Sequence, residues 1–259
     1  MIRKLYKWML LFGFDGKRLY QTLIGIPRYI SDLNKFRTIR SKESTFKFSI
    51  WHPILCDWND EAGNARGHYF HQDLYVAQKI FLNKPQKHID IGSRVDGFVA
   101  HVASFRDIEI IDIRELDSNI ENVIFRKADL MGLPEDLIDY TDSISSLHAL
   151  EHFGLGRYGD PLDYYGYLKG LASITKILKT GGRFYFSVPI GEQRIEFNAH
   201  RVFSVSYLIK ILSEDYKIEN FSFVNDKGDF IKNQLLDPTL AEISYGCKYG
   251  CGIFELVKL

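Results

Sequence analysis

Beginning near Lys87, short runs rich in β-branched and aromatic residues alternate with segments of helical periodicity. Strands joined through helices pair in parallel, because the chain must cross over the sheet to return to the same edge. The pattern therefore predicts an α/β fold with a doubly wound, seven-stranded, mostly parallel sheet. The predicted strands are KHIDIG (87–92), IEIIDI (108–113), NVIFRKADL (122–130), SISSLHA (143–149), GRFYFSVPI (182–190), YKIENFSFVND (216–226) and CGIFELVKL (251–259).

Amphipathic helical segments precede and separate these strands. One long helix is predicted to begin with Asp160 as N-cap and Pro161 in its first turn, and to end at Gly181 and Gly182. The expected apolar positions are Phe98, Val99, Val102 and Ala103 in segment 97–105; Leu74, Ala77, Ile80 and Phe81 in segment 67–81; and Tyr164, Leu168, Leu171, Ala172 and Leu178 in the long helix.

The first 45 residues are predicted to form a basic helical arm, distinct from a main domain over residues 46–259. Residues 1–43 hold ten basic and three acidic side chains, although the whole chain has 33 of each sign. The apolar run WMLLFGF (8–14) is far shorter than the roughly 20 residues that span a bilayer. The arm is expected either to pack on the main domain or to lie on an anionic membrane surface.

Charge balance and cysteine content narrow the function. A formal net charge of zero supplies no general field for nucleic acid, so no nucleic-acid partner is expected. The three cysteines, Cys56, Cys247 and Cys251, form no ladder of disulfide pairs and favour a cytoplasmic protein, with the inner membrane face as a further location. Cys247 and Cys251 form a C-x3-C pair without a second ligand pair, so they are interpreted as small buried residues entering a strand.

Acidic and small residues follow the first three predicted strands. In an open parallel sheet, ligands bind outside the carboxyl ends of the strands. The first strand ends in Asp90-Ile-Gly92-Ser93, where the glycine lets a ligand approach the backbone. Asp112 follows Gly92 by twenty residues, a spacing typical of an acid that binds ribose, and Asp129 is placed for an adenine amine. Either aspartate could instead cap a turn, but their order favours the ligand interpretation.

In order along the chain, these motifs resemble those of class I S-adenosylmethionine-dependent methyltransferases, over about residues 87–259. The segments that carry the resemblance are DIGS (90–93), IIDIRELD (110–117), KADLMGLP (127–134), SSLHALEHFG (145–154) and ILKTGGRFYFSVP (177–189). Within that superfamily the chain is similar to domain-of-unknown-function family two-sixty-eight, in GHYFHQDL, DIGSRVDGF, LHALEHFGLGRYGDP and YGCGIFEL. The resemblance implies a Rossmann-like methyltransferase fold and S-adenosylmethionine as cofactor.

The same resemblance implies roles for individual residues. Asp90, Gly92 and Ser93 would line the methionine end of the cofactor, and Asp112 would bind its ribose hydroxyls. Asp129 and Leu130 would contact its adenine, and Leu147 would make a further contact with the cofactor. His148 would lie near the transferred methyl group.

One segment departs from the family pattern. Related enzymes commonly have D-x-G-x-G-x-G, whereas this chain has Arg94 and Asp96 at the second and third glycine positions. The Arg94 guanidinium suits the planar carboxylate of the cofactor, and Arg94 is therefore included in the predicted cofactor site. It could equally form an ion pair with Asp96 or Asp112.

The stretch LHALEHFGLG (147–156) contains H-x-x-E-H, the spacing of a zinc peptidase helix. A strand-like run precedes it and glycines at 154, 156 and 159 interrupt any helix, so a peptidase is not expected. Instead, the strand projects this loop toward the methyl acceptor. The candidate general bases are His148, His152 and His200, each of which could alternatively be hydrogen-bonded to loop backbone, and a weaker alternative is a divalent metal held by His148, Glu151 and His152.

These observations predict a methyltransferase that acts on a hydroxyl of a small molecule, a sugar or a surface-glycan precursor, as in polysaccharide biosynthesis. Two alternatives remain at this stage. One is a non-catalytic binding or scaffold protein whose Arg94 and Asp96 close the glycine loop. The other is a nucleotide-sugar-binding Rossmann enzyme, although G-x-G-x-x-G is absent from the sequence.

Overall fold

A computed structural model describes residues 2–39, 46–63 and 65–259, which divide into two compact units, Met1–Asn64 and Ala65–Leu259. The first unit contains helices α1 (Ile2–Leu11) and α2 (Gly16–Ile39). Within it, the Arg28 guanidinium lies 4.1 Å from the centre of the Trp58 ring. Across the described residues, no helix combines the length and the apolar character needed to cross a membrane. The predicted boundary between residues 45 and 46 adjoins 40–45, which lie outside the described residues, and stays a prediction.

The second unit is built on an eight-stranded sheet of order β3-β2-β1-β4-β5-β10-β8-β9. The pairings from β3 to β5 are parallel, and those of β10 with β5 and β8, and of β8 with β9, are antiparallel. The strands are β1 (His88–Ile91), β2 (Ile108–Asp112), β3 (Val123–Lys127), β4 (Thr141–Leu147), β5 (Leu178–Ile190), β6 (Arg194–Glu196), β7 (His200–Val202), β8 (Tyr216–Val224), β9 (Phe230–Gln234) and β10 (Gly250–Lys258).

The seven predicted strands all occur, but the prediction of seven is one short for the main sheet. The additional strand, β9, pairs only with β8 at the sheet edge and has partly exposed side chains. Such an edge strand needs no continuous apolar run, which explains why FIKNQ gave no signal. The hairpin of β6 and β7 forms a separate small sheet and was likewise not predicted.

Helices cover both faces of the sheet, which confirms the doubly wound architecture. They are α3 (His68–Asn83), α4 (Ala100–Ala103), α5 (Gly166–Ile177), α6 (Val205–Leu212) and α7 (Pro238–Glu242). Side chains of α3 and α4 share one buried cluster with β2, whereas those of α5 and α6 share a second cluster with β1 and β4. The sheet therefore has a hydrophobic core on each side, as buried parallel strands require.

The prediction for the long helix after β4 is wrong at both ends. Helix α5 begins at Gly166, because the Asp160 carboxylate instead accepts hydrogen bonds from the backbone of the preceding glycine-rich loop. It ends at Ile177, and Leu178 opens β5, so Gly181 and Gly182 lie inside a strand. The predicted apolar faces also shift: Tyr164, Ala172, Leu74 and Phe81 are exposed.

Candidate active site

A cavity of about 1090 Å³ opens at the carboxyl ends of the parallel strands, with α3 forming part of its wall. Parallel strands end at the same sheet edge, so the residues that follow them meet there. The predicted site residues in the cavity wall are Gly92, Ser93, Arg94, Asp112, Asp129, Leu130, Leu147, His148, Glu151, His152 and His200. The structure places this set of residues around one cavity, and the role of each residue has to be read from its contacts.

Asp90 is fully buried beneath the loop that follows β1. Its carboxylate accepts hydrogen bonds from the backbone and hydroxyl of Ser93, both at 2.9 Å, and from the hydroxyl of Ser145 at 2.5 Å. Burial raises the pKa of Asp90 to about 7 in spite of these donors. Asp90 therefore shapes the loop from below, and the cavity surface is supplied by Gly92 and Ser93.

Gly92 adopts a left-handed backbone, with φ +75°. A Cβ at this position would lie 3.0 Å from Cβ of Ala149 in the loop after β4. A side chain here would meet both backbone strain and a close contact, so the turn requires glycine. The loop after β1 consequently presents bare backbone to the cavity.

Asp112, the predicted ribose ligand, is held by Arg114. The backbone N–H of Arg114 donates to Asp112 Oδ1 at 2.8 Å, and its guanidinium donates to both carboxylate oxygens, with Nε at 3.0 Å from Oδ1. The same guanidinium reaches the carbonyl oxygen of Gly92 at 3.3 Å and lies over the ring of Tyr158. A ribose diol would therefore have to compete with Arg114 for Asp112.

The other two polar groups of the predicted cofactor site also have local partners. Arg94 forms a two-pronged ion pair with Asp96, at 2.9 and 2.6 Å, on the exposed rim, which is one of the pairings considered from the sequence. Asp129 Oδ1 accepts a hydrogen bond from the backbone of Met131 at 2.9 Å, as a turn cap does. Both residues still line the cavity, so neither contact removes it from reach of a ligand.

The H-x-x-E-H stretch is not an α-helix. Strand β4 ends at Leu147, His148 has φ +52°, and Leu150–His152 form a single 3-10 turn. The following loop is closed by Asp160, which accepts from the backbone of Gly154 and Gly156 at 2.8 and 3.1 Å. A zinc peptidase needs both histidines one turn apart on a continuous helix, so this geometry rules that class out.

His148 and Glu151 form a buried pair at the base of the cavity. His148 Nδ1 lies 2.8 Å from Glu151 Oε1, while His148 Nε2 and Glu151 Oε2 are buried and have no hydrogen-bond partner among the described residues. Burial lowers the pKa of His148, but the adjacent Cys251 and Glu151 outweigh it and raise that pKa well above the usual histidine value. Burial raises the pKa of Glu151, but the neighbouring His148 lowers it, and the net result is a Glu151 pKa below the usual glutamate value.

His152 and His200 stand on the other side of this pair, with ring centres 6.5 Å apart. His152 Nδ1 lies 2.6 Å from the carbonyl oxygen of Ala199, which fixes the proton on Nδ1 and leaves Nε2 as the lone-pair nitrogen. Burial lowers the pKa of both histidines, so both are mainly neutral near pH 7. Neutral imidazoles in a cavity wall can accept a proton.

Arg201 holds the loop that carries these groups. Its buried guanidinium donates to the carbonyl oxygens of Phe153 at 2.6 Å and Tyr164 at 3.0 Å, and lies 4.9 Å from the Tyr167 ring centre. These contacts tie β7 to both ends of the glycine-rich loop. Sequence reasoning did not single out Arg201, because its partners are backbone carbonyls that leave no trace in side-chain pattern.

Helix α3 supplies cavity residues that were not among the predicted catalytic or cofactor-binding residues: Tyr69, Gln72 and Asp73. Gln72 and Asp73 are buried, and burial raises the pKa of Asp73 to about 6. The sequence signal for these residues was the adjacent pair Gln72 and Asp73 on a helix that is otherwise expected to be buried. Polar residues at buried positions are informative because they often belong to a functional site. Tyr249, just before β10, joins the same wall.

The family model described as "Caenorhabditis protein of unknown function, DUF268" matches residues 101–239, more than half of the chain. The chain belongs to this family. Membership in DUF268 confirms the family resemblance of the sequence motifs, and the matched segment runs from the helix after β1 to α7. No curated protein sequence matches this DUF268 member.

Solved structures with the same fold include methyltransferases and one cyclase. The [4+2]-cyclase SpnF is similar at TM-score 0.54 and 13% identity, covering 76% of this chain and 85% of its own. The 1,6-didemethyltoxoflavin-N1-methyltransferase of Burkholderia thailandensis, solved with its substrate and S-adenosylhomocysteine, scores 0.52 at 15% identity, covering 95% and 91%. N-methyltransferase NodS of Bradyrhizobium japonicum WM9 scores 0.50 at 12% identity, covering 75% and 99%. The predicted Rossmann-like methyltransferase fold is thereby confirmed.

Proposed function

We propose that this protein is an S-adenosylmethionine-dependent methyltransferase that acts on a hydroxyl of a small sugar or surface-glycan precursor. The observation that carries the proposal is one cavity in which the bare Gly92 turn and the Asp112 carboxylate face the same space as a wall of imidazoles. A cofactor at the turn would place its reactive end toward that wall. One structural neighbour binds S-adenosylhomocysteine, which supports the choice of cofactor.

The residues of the first three strand ends suit the cofactor in distinct ways. Gly92 and Ser93 would bind the amino-acid end through backbone groups, Asp112 would accept hydrogen bonds from the ribose hydroxyls, and Leu130 would pack on the adenine. When bound, S-adenosylmethionine supplies the activated methyl group. The protein then has to position an acceptor in line with it, a contribution of about 7 to 11 kcal/mol in well-oriented reactions.

His152 is the best-placed general base for an acceptor hydroxyl. Its Nδ1 proton is committed to Ala199, so Nε2 is available to receive the hydroxyl proton as the oxygen attacks. His200 neighbours it and offers a second imidazole. The tyrosine rings of Tyr69, Tyr158 and Tyr249 in the same wall provide flat apolar faces beside polar groups, a composition that suits a sugar.

One observation favours the scaffold alternative. Arg114 occupies the Asp112 carboxylate on which cofactor binding depends. In a protein that has lost its ligand, this pair would be permanent. SpnF, a cyclase of the same fold, further illustrates that the architecture alone does not select the reaction.

Calorimetric titration with S-adenosylmethionine and S-adenosylhomocysteine separates the two. We expect saturable binding by the wild type, a loss of at least about tenfold in affinity for Asp112→Ala because hydrogen bonds to a charged group are removed, and unchanged affinity for Asp107→Ala, an exposed acid at the other end of β2. An absence of binding by the wild type at millimolar ligand would leave the scaffold function.

Acceptor assays then test the base. Formation of S-adenosylhomocysteine is measured with a panel of monosaccharides, nucleotide sugars and amines. His152→Ala should lower kcat by about 100-fold or more for a hydroxyl acceptor, while the exposed His52→Ala should not. Turnover of amines alone, insensitive to His152, would contradict the assignment of a hydroxyl acceptor.

A further inference from the structure

Three side chains from distant parts of the sequence converge around His148. They are His68 at the start of α3, His148 after β4 and Cys251 in β10. One ligand atom from each, an imidazole nitrogen or the Cys251 sulfur, lies within 4.8 Å of the other two. Among the described residues, these three side chains are close enough together to be ligands of one metal ion.

The hydrogen bonding of His148 prepares it as a ligand. Its Nδ1 is engaged by Glu151 at 2.8 Å, whereas its Nε2 is buried and lacks a hydrogen-bond partner within the described residues. A metal-binding histidine usually presents one nitrogen to the metal and the other to a carboxylate, which fixes the ring and raises its basicity. Glu151 would serve as that carboxylate.

His68 and Cys251 complete the set from two other elements. The His68 ring lies parallel to that of His148, with centres 5.2 Å apart and planes 2° apart. Cys251 is fully buried, and its Sγ has long contacts, 3.6 Å to Gln72 Oε1 and 3.8 Å to the carbonyl oxygen of Gly252. These contacts are longer than ordinary hydrogen bonds, so little bonding is lost when the thiolate, the form that ligates metals, turns to a cation.

We propose that His68, His148 and Cys251 bind a transition-metal cation of the Zn²⁺ type. Two imidazole nitrogens and one thiolate are preferred ligands of such ions, at about 2.0 to 2.3 Å from the metal, so the ligand atoms would have to approach to about 3 to 4 Å of one another. The ligand atoms already lie within 4.8 Å of one another, so the approach required is about 1 Å. A three-ligand site leaves a further coordination position open, and His148 also forms part of the cavity wall.

This site differs from the metal site considered from the sequence. In that trio, Glu151 Oε1 already lies against His148 Nδ1, and His152 Nε2 is 3.8 Å from the same oxygen. The proposed site instead uses the opposite edge of His148 and treats Glu151 as a supporting group. Of the two cysteines in the C-x3-C pair, only Cys251 is a ligand in the proposed site, because Cys247 packs against Gly250.

Cobalt titration of the 259-residue protein, purified and freed of metal with a chelator, tests the proposal. A Co²⁺ thiolate gives a charge-transfer absorption band, so its appearance reports sulfur ligation directly, and Zn²⁺ should displace it stoichiometrically. We expect the band in the wild type, its loss in Cys251→Ser, and at least about tenfold weaker Co²⁺ binding in His68→Ala.

Two variants serve as matched controls. Cys247→Ser removes the other buried cysteine, and His71→Ala removes the histidine one turn along α3; both should keep the band and the affinity. Circular dichroism of each variant without metal identifies any that fail to fold. The proposal is overturned if the folded wild type gives no thiolate band, or if Cys251→Ser retains it. The site does not depend on methyl transfer, so calorimetry with S-adenosylmethionine reports separately on the proposed function.

Discussion

Replacement of Arg114 by methionine should tighten the binding of S-adenosylmethionine. The guanidinium of Arg114 holds both oxygens of Asp112, the group expected to bind the ribose. Methionine keeps an apolar stem of similar length but cannot donate hydrogen bonds. The substitution would therefore free the carboxylate without opening a large gap in the cavity wall.

The size of the effect follows from the exposure of the pair. The side chains of Arg114 and Asp112 are 41% and 11% exposed, so this pair is more buried than a surface ion pair. A surface ion pair contributes only about 0 to 1 kcal/mol. The pair of Arg114 and Asp112 is less buried than pairs whose disruption costs about 3 to 5 kcal/mol. An intermediate value of about 1 to 2 kcal/mol corresponds to about 5- to 30-fold tighter cofactor binding.

Isothermal calorimetry of wild type and variant measures this difference. Arg126→Met is a suitable control, because Arg126, on the neighbouring strand β3, also forms an ion pair, with Asp136 at 2.8 Å. Its affinity for the cofactor should equal that of the wild type. Unchanged binding by Arg114→Met would show that Arg114 does not compete with the ribose, and weaker binding would show that it contacts the cofactor itself.

Two further predictions concern the loop after β1. Gly92→Ala should lower the free energy of unfolding by about 2 to 4 kcal/mol in urea titrations, because it combines positive φ with a 3.0 Å contact to Ala149. Gly159→Ala is the control: it has φ +84° but no described atom within 4 Å, so its free energy of unfolding should fall by only about 1 to 2 kcal/mol. Equal losses in the two variants would refute the steric argument. In the folded protein the pKa of Asp90 is about 7, whereas in the unfolded chain an aspartate ionises near pH 4. Between these two values the folded state binds more protons than the unfolded state. The free energy of unfolding should therefore fall as the pH rises through that window, by on the order of 4 kcal/mol. Urea unfolding at pH 5 and pH 7 should show this decline reduced in Asp90→Asn; an undiminished decline would assign it to other groups.

Strands β1 and β2 were predictable because isoleucine, a β-branched residue, recurs through each short run. Ile89 and Ile91 of β1 are almost wholly buried, and three of the five residues of β2 are buried isoleucines. The start of α5 was not predictable in the same way. Asp160 and Pro161 have the residue types of a helix start, but the carboxylate of Asp160 is used by loop N–H groups that only the folded chain brings to it.

The sequence by itself determined the central parallel strands and the residues that follow them, since Gly92, Asp112 and His148 each come at a strand end and parallel strands end at the same edge. The contacts of those residues were decided by tertiary structure. Strand β10 inserts antiparallel beside β5 and pairs Cys251 with Pro189, while the backbone N–H of His148 donates to Ser187 of the same strand. Cysteine and histidine therefore meet through a strand order that no local pattern encodes, because side-chain periodicity reports which face is buried and not which strand lies next to it.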